Sequence, residues 1–341
     1  MKLKNEFKQF IKDITIDSEV EELIEKREIL QKDFKNRFPQ KCSENDIEVK
    51  KSDIEFFDQG SYKLHTTIKN KYGSIDRDVA VMFPLDININ DDPRKIKGYA
   101  KDALSTGVRT VTVKEPCVNI SYLENGEEWL HIDMPMYAKC DGNTYLARGR
   151  ATSQNYEWEE SDPKGLNDYL LNKINKDDPL RRNIRYLKKW KLEEYHNSTK
   201  DHEVPPSIGI TLLACDNFVN YTEDGDADDL LSLLRTMENI QSKFELTYDN
   251  GNLVKAEITR NLPTAPYTDV FSKMKDSSDT YGVKFYNKLS RAIQNLKDAY
   301  NAESEYDAGN SVKKVLGDEF IVPEKEALRT RTTVKKEHSF G

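Results

Sequence analysis

The run Ile75-Asp76-Arg77-Asp78 followed by Val79-Ala80-Val81-Met82-Phe83 constrains this 341-residue chain more than any other feature. Its second half is wholly apolar, as a strand buried on both faces requires. Its first half sets two carboxylates one residue apart, and the period of two along a strand puts both on one face. Like charges sharing a face cost stability, which flags the pair as functional. Upstream, a short strand candidate at Ile54-Glu55-Phe56-Phe57 runs into Gly60-Ser61. Downstream, an Asn125-Gly126 hairpin turn leads into a second alternating run, Trp129 to Tyr137, that carries Asp133. Three carboxylates converging from two strands can hold two magnesium ions about 3.5–4 Å apart. That geometry serves phosphoryl transfer, because it activates an attacking hydroxyl and neutralises a leaving pyrophosphate. The Gly-Ser turn offers backbone N–H groups and a hydroxyl to a triphosphate. A lone Gly-Ser or Asp-x-Asp is common; the order of all these parts carries the reading.

The composition sets the outer limits. With 33% charged and 10% aromatic residues, the chain has the balance of a soluble globular protein of one large or two modest domains. Its net charge of −8 argues against a dominant nucleic-acid-binding surface and makes activation by nucleic acid unexpected. No apolar run approaches the ~18–20 residues of a membrane span, and MKLKNEFKQF lacks the apolar core of a secretory leader. Cys42, Cys117, Cys140 and Cys215 are scattered without a paired spacing, so free thiols of a reducing cytoplasm are expected rather than a zinc site.

The chain changes texture near its middle. Residues 1–37 read as two helices, the second starting near Asp17-Ser18, with Val20, Leu23, Ile24, Arg27, Leu30 and Phe34 as a core stripe. Pro39 to Asp53 reads as a polar break. A helix is expected over Pro93 to Leu104, strands over Arg109–Val113 and Asn119–Leu123, and an edge strand over Thr144–Gly149. From Asp162 onward helices dominate, with starts at Asp162-Pro163, Asp178-Pro179 and Pro205-Pro206-Ser207. Asp228–Phe244 and Ser290–Glu303 add two more, and Asp249-Asn250-Gly251 is a turn. Leu328 to Gly341 reads as a mobile tail.

The joint pattern resembles the nucleotidyltransferase superfamily of DNA polymerase β and, within it, the bacterial cGAS/DncV-like nucleotidyltransferases (CD-NTases) of CBASS anti-phage systems. The narrowing comes from the helical half: SDPKGLNDYL at 161–170, LRRNIRYLKKWK at 180–191, PPSIGITLLACDNF at 205–218, NLPTAPYTDVFSKM at 261–274 and VLGDEF at 315–320. The resemblance implies an α+β fold, with a polymerase β-like mixed sheet core, a helical second lobe and an N-terminal helix joining them. The expected division is a catalytic lobe over 1–165, a helical lobe over 166–323 and a tail over 324–341. It implies that Gly60 and Ser61 hold the donor triphosphate and that Asp76 and Asp78 ligate both Mg2+ ions, with Mn2+ as a substitute. Asp133 would ligate the catalytic ion and help deprotonate the attacking ribose hydroxyl. Lys188 and Ser207 match the lysine and serine of the helical lobe that reach the triphosphate; a solvated helix face and a plain N-cap are their plainer readings. Lys189, Arg181 and Arg182 are alternatives to Lys188. His131 shares the strand face of Asp133, His65 follows Ser61, and Tyr195, Trp158 and Tyr156 could stack on a base. Arg148 and Arg150 could face the cleft.

The implied activity is synthesis of a cyclic di- or trinucleotide from nucleoside triphosphates, with release of pyrophosphate, in the cytoplasm. Rival readings are a linear oligonucleotide or RNA-end nucleotidyltransferase, a protein-modifying nucleotidyltransferase, and a silent scaffold, which three clustered carboxylates disfavour. In CBASS operons with ubiquitin-type transferases the resemblance also implies an E1/E2-like partner acting at Gly341, against the reading of an ordinary terminus.

Overall fold

A computed structural model describes residues 2–16, 20–107, 109–174 and 178–325. The chain opens with α1 (Lys4–Ile14) and α2 (Val20–Ser43), then β1 (Glu55–Gln59), the single turn α3 (Gly60–Lys63), β2 (Ile75–Pro84) and α4 (Pro93–Leu104). Six strands follow: β3 (Thr110–Val113), β4 (Val118–Glu124), β5 (Glu127–Met134), β6 (Met136–Cys140), β7 (Asn143–Arg148) and β8 (Glu157–Glu160). The helical half contains α5 (Pro163–Ile174), α6 (Asp178–Tyr195), α7 (Ser207–Asn217), the small pair β9 (Thr222–Glu223) and β10 (Asp226–Ala227), and α8 (Asp229–Gln241). It closes with the hairpin β11 (Glu245–Asp249) and β12 (Asn252–Glu257), then α9 (Ser272–Ser277), α10 (Asp279–Asn301) and α11 (Glu305–Leu316). The expected α+β fold, a mixed sheet with a helical second lobe, is what forms.

The sheet is organised around β2. β1 runs antiparallel along one side of it, pairing Gln59 with Asp78. Along the other side β5 pairs in parallel with its first half and β6 with its second. Trp129 to Tyr137, read from the sequence as one strand, is thus two. Pro135, which has no N–H to give a ladder, marks the break, and its carbonyl accepts from Val81 N at 3.0 Å. The expected edge strand near 144–149 is interior, because β7 bonds β6 on one side and β8 on the other.

Two cores form. One packs α2 and α4 against the sheet, through Leu23, Leu30, Phe34, Phe38, Val79, Val81 and Phe83. The stripe on α2 differs from its reading, since Ile24 is 40% exposed. The helix also runs past Pro39, because Phe38 and Cys42 continue the buried face set by Leu30 and Phe34. Packing there outweighs the ~3 kcal/mol or so that an interior proline costs. The second core joins the helical half to α1, where Phe7 and Phe10 meet Tyr186 and Phe320 at ring distances of 5.2–6.1 Å. α1 therefore sits in the helical core and α2 in the sheet core, and the bridge Thr15↔Ile68 ties their junction to the segment before β2. α10 begins at Asp279, well before Ser290, because Phe285 and Leu289 extend its buried face. The suggested N-cap at Asp17-Ser18 and the expected tail from Leu328 to Gly341 lie outside the described residues.

Candidate active site

Strand register assembles the carboxylates. Asp78 lies opposite Asp133, and Asp76 opposite His131, in the parallel pairing of β2 with β5. All four side chains therefore share one face. Arg77, between the two aspartates, points to the other face and is 1% exposed. Its guanidinium donates to Asp58 Oδ1 at 3.0 Å and stacks 3.9 Å over the Tyr62 ring. The alternation that presents the aspartates also anchors the strand from behind.

Each acidic group has its own setting. Asp133 Oδ1 accepts from Asn119 Nδ2 at 2.6 Å, with Lys114 Nζ 3.6 Å away. Asn119 is oriented by Thr112 and Ser121, whose hydroxyls donate to its Oδ1 at 3.4 and 3.3 Å. Asp76 meets His131 Nε2 at 3.2 Å, and Ser74 Oγ lies 2.7 Å from His131 Nδ1. The hydrogen bond that His131 donates to Asp76 raises the His131 pKa above its ordinary value against the effect of burial. Asp78 tucks against Gly60, and a Cβ there would collide with its Oδ2. Burial first, then the charges of Asp76 and Asp133, push the Asp78 carboxyl well above the usual range, with Lys188 opposing. Ligand atoms of Asp76, His131 and Asp133 lie within 4.8 Å of one another. This donor set, with Asp78 beside it, is chemically suited to divalent cations, which would relieve the crowding of negative charge.

Asp76 and Asp78 line a cleft of about 620 Å³ between the sheet and the helical lobe, whereas Asp133 lies beside them without lining it. Gly60, Ser61, Asp76, Asp78, Lys188 and Ser207 all line it. Gly60, the first residue of α3, has φ +63°, a conformation glycine adopts without cost. Ser61 Oγ lies 3.0 Å from Thr67 Oγ1, and Thr66 N donates to Ser61 O at 2.9 Å, so the turn is a closed loop. Lys188 is 8% exposed and donates to Thr66 O and Oγ1 at 3.2 and 3.0 Å. Burial lowers its pKa to about 7, against the field of Asp78 and Asp76. A solvated helix face is thus excluded for Lys188. Ser207 opens α7 and accepts from Lys191 Nζ at 2.5 Å.

Other candidates fall elsewhere. Lys189 is fully buried away from the carboxylates, 2.9 Å from Glu193 and paired with Glu319. Arg182 binds Asp229 and Asp178, and Arg181 binds Asp178. Arg148 pairs with Glu115 and Glu159. Trp158 Nε1 donates to Asn90 O at 2.7 Å, and Tyr156 carries Arg94 over its ring. None of these, and neither Arg150 nor His65, lines the cleft, whereas Tyr195 does. The sequence reading missed Asn119, Thr66 and Lys191.

Comparison with known proteins agrees with this geometry. Residues 54–137 match the family profile described as Cyclic GMP-AMP synthase DncV-like, nucleotidyltransferase domain. The chain is 28% identical over 216 residues to a Cyclic GMP-AMP synthase of Escherichia albertii, a match spanning 59% of this chain and 46% of that protein's length. Its fold resembles Vibrio cholerae DncV cyclic AMP-GMP synthase, with TM-score 0.68 and 15% identity over 94% of this chain and 97% of the other. It also resembles Escherichia coli DncV in a 3′-deoxy GTP bound form, with TM-score 0.64 and 14% identity over 90% and 93% of the two chains. Residues 54–137 thus resemble a DncV-like nucleotidyltransferase domain, and the whole fold is similar to that of the DncV synthases.

Proposed function

We propose that the protein joins nucleoside triphosphates into a cyclic di- or trinucleotide second messenger and releases pyrophosphate. The observation that carries this is the opposition, across one cleft, of Asp76 and Asp78 to Lys188 and Ser207. One wall would hold divalent cations and the other the phosphates they accompany. Asp76, Asp78 and Asp133 are the proposed ligands of two Mg2+ ions, which, when bound, supply Lewis-acid activation of a hydroxyl and charge neutralisation at the phosphates. Gly60 and Ser61 receive the donor triphosphate, and Ser207 and Lys188 meet it from the helical lobe. Asn119 holds the Asp133 carboxylate in line beside Asp76. Among the similar structures, Vibrio cholerae DncV is described with the linear intermediate 5′ pppA(3′,5′)pG, which supports a stepwise synthesis in one cleft.

A role in anti-phage defence accords with the family. A cytoplasmic setting accords with the four unpaired cysteines, and no helix among the described residues is long and apolar enough to cross a membrane. The deciding experiment incubates purified protein with the four labelled nucleoside triphosphates and Mg2+, followed by phosphatase and nuclease. A phosphatase-resistant product is expected. Label that appears only on protein, or only when RNA is added, would overturn the proposal.

A further inference from the structure

A second cavity, of about 530 Å³, lies at the opposite end of α6 from Lys188, between α1, the first turn of α6, the β9–β10 pair and the start of α8. It shares no lining residue with the cleft of Asp76 and Asp78. Its basic groups are concentrated on α1. Lys4, Lys8 and Lys12 recur every fourth residue, so they follow one helix face and repel one another. Lys2 and Arg182 add to this charge, and only Asp226 and Asp229 oppose it, in a protein whose net charge is −8. Three of these cations are committed. Lys4 pairs with Asp226, Arg182 grips Asp229 through Nε and Nη2 at 3.0 and 2.8 Å, and Lys2 Nζ donates to Tyr300 O at 2.6 Å. Lys8 and Lys12 are exposed, and among the described residues neither has an ion-pair partner. Phe7, buried, and Ile11, half-buried, lie between them in sequence and line the same cavity. The site is an apolar floor under a charged rim.

We propose that this cavity binds a small phosphorylated organic molecule, with Lys8 and Lys12 meeting its phosphates and Phe7 and Ile11 its apolar body. Its volume is that of a small-molecule site, which spans roughly 300–1,000 Å³. The lining residues select the anion. Arg182 supplies the planar fork that suits a carboxylate, and Asp229 already occupies it. What remains is a pair of ammonium groups, compact charges on flexible stems that suit phosphate. A bound polyanion also relieves the repulsion along α1, so occupancy stabilises the folded protein. The inference is independent of the activity proposed for the cleft.

The test is calorimetric titration, in EDTA, with hexanediol bisphosphate, an apolar chain with a phosphate at each end, and with suberate, its dicarboxylate counterpart. The proteins are wild type, the double variant Lys8→Gln with Lys12→Gln, and Lys191→Met, which removes a cation of the Asp76 cleft. Wild type is expected to bind the bisphosphate with an affinity that falls as salt rises. Suberate should bind about tenfold more weakly. The double variant should lose about tenfold or more in bisphosphate affinity, while Lys191→Met keeps it. Both substituted lysines are exposed, so the double variant should fold as wild type does by circular dichroism and turn over triphosphates at the wild-type rate. Absence of bisphosphate binding to wild type, or equal affinity in the double variant, overturns the site. Loss of binding in Lys191→Met with none in the double variant puts the probe in the Asp76 cleft and overturns it equally. Suberate bound as tightly as the bisphosphate overturns the choice of phosphate.

Discussion

At the scale of single residues, the site depends on an atom that is missing. Gly60 lies against Asp78 so closely that a Cβ would meet Oδ2 of the carboxylate, and its φ of +63° is one that other residues adopt at a cost. Gly60→Ala should therefore displace Asp78 as well as strain the turn. The expected outcome is a loss of unfolding free energy of about 1–3 kcal/mol together with near-complete loss of product, measured by urea denaturation and by turnover of labelled triphosphates. Full activity in that variant would show that the close approach is incidental. The aspartates themselves make a second prediction. Asp78 is held above the normal carboxylate range by burial and by its neighbours Asp76 and Asp133, so removing charge relieves the apo protein. Asp76→Asn with Asp78→Asn should abolish product and raise the melting temperature in EDTA. A lower melting temperature would mean that the pair stabilises the fold. The triad was legible because period-two alternation is a property of the chain alone. Asn119 was not: counting outward from the Asn125-Gly126 turn puts residue 118 opposite Asp133, and only the register shift at Tyr122/Leu123 brings Asn119 there.

At the scale of elements, α6 sorts its basic residues by face. Lys188 and Lys191 turn to the cleft, and Lys189 turns to Glu193 and Glu319. The sequence LKKWK does not distinguish them, because helical spacing separates faces without saying which one meets a cleft. The same limit explains the two prolines. Pro39 sits inside a helix whose buried face continues to Cys42, while Pro135 splits a strand into β5 and β6. A proline weakens either element, and tertiary packing decides whether the element survives. Helix starts were legible where an acidic residue precedes proline, as at Asp162-Pro163, whose Oδ1 accepts from Gly165 N at 2.8 Å. The start of α10 lacked that punctuation. One element-level prediction concerns the brace between α6 and the Ser61 loop. Thr66→Val keeps the shape of the side chain but removes the hydroxyl that Lys188 binds at 3.0 Å. The loss should be about 1–3 kcal/mol of stability, as for a buried donor left short of an acceptor. KM for triphosphates should rise with it, read from initial rates at varied substrate. An unchanged KM would separate the loop's stability from nucleotide binding.

At the scale of the molecule, the cleft exists because two separately packed cores are held at a fixed distance. Several ties cross between them: Asn167 Nδ2 donates to Asp58 O at 3.2 Å, Tyr72 Oη to Glu193 at 2.8 Å, and Lys273 Nζ to Glu115 at 2.9 Å. The last is an ion pair, so it depends on the charge of Glu115. Burial raises the Glu115 pKa, but hydrogen bonds and charge from Arg148 and Lys273 outweigh it and bring it down to about 2, against an ordinary 4.5. A carboxylate with a depressed folded pKa contributes stability that is fully present above its unfolded value and is lost as pH falls through the folded one. The contribution of Glu115 should therefore be intact at neutral pH and fade between about 4.5 and about 2. Other carboxylates titrate in the same window, so the informative quantity is a difference between proteins. Glu115→Gln should melt below wild type at pH 7, and the gap should narrow steadily from pH 5 to pH 3 as wild type loses the charge the variant never had. Circular dichroism melts of both proteins across that range read it directly. A gap that stays constant with pH would show that Glu115 acts through its shape and not through its charge.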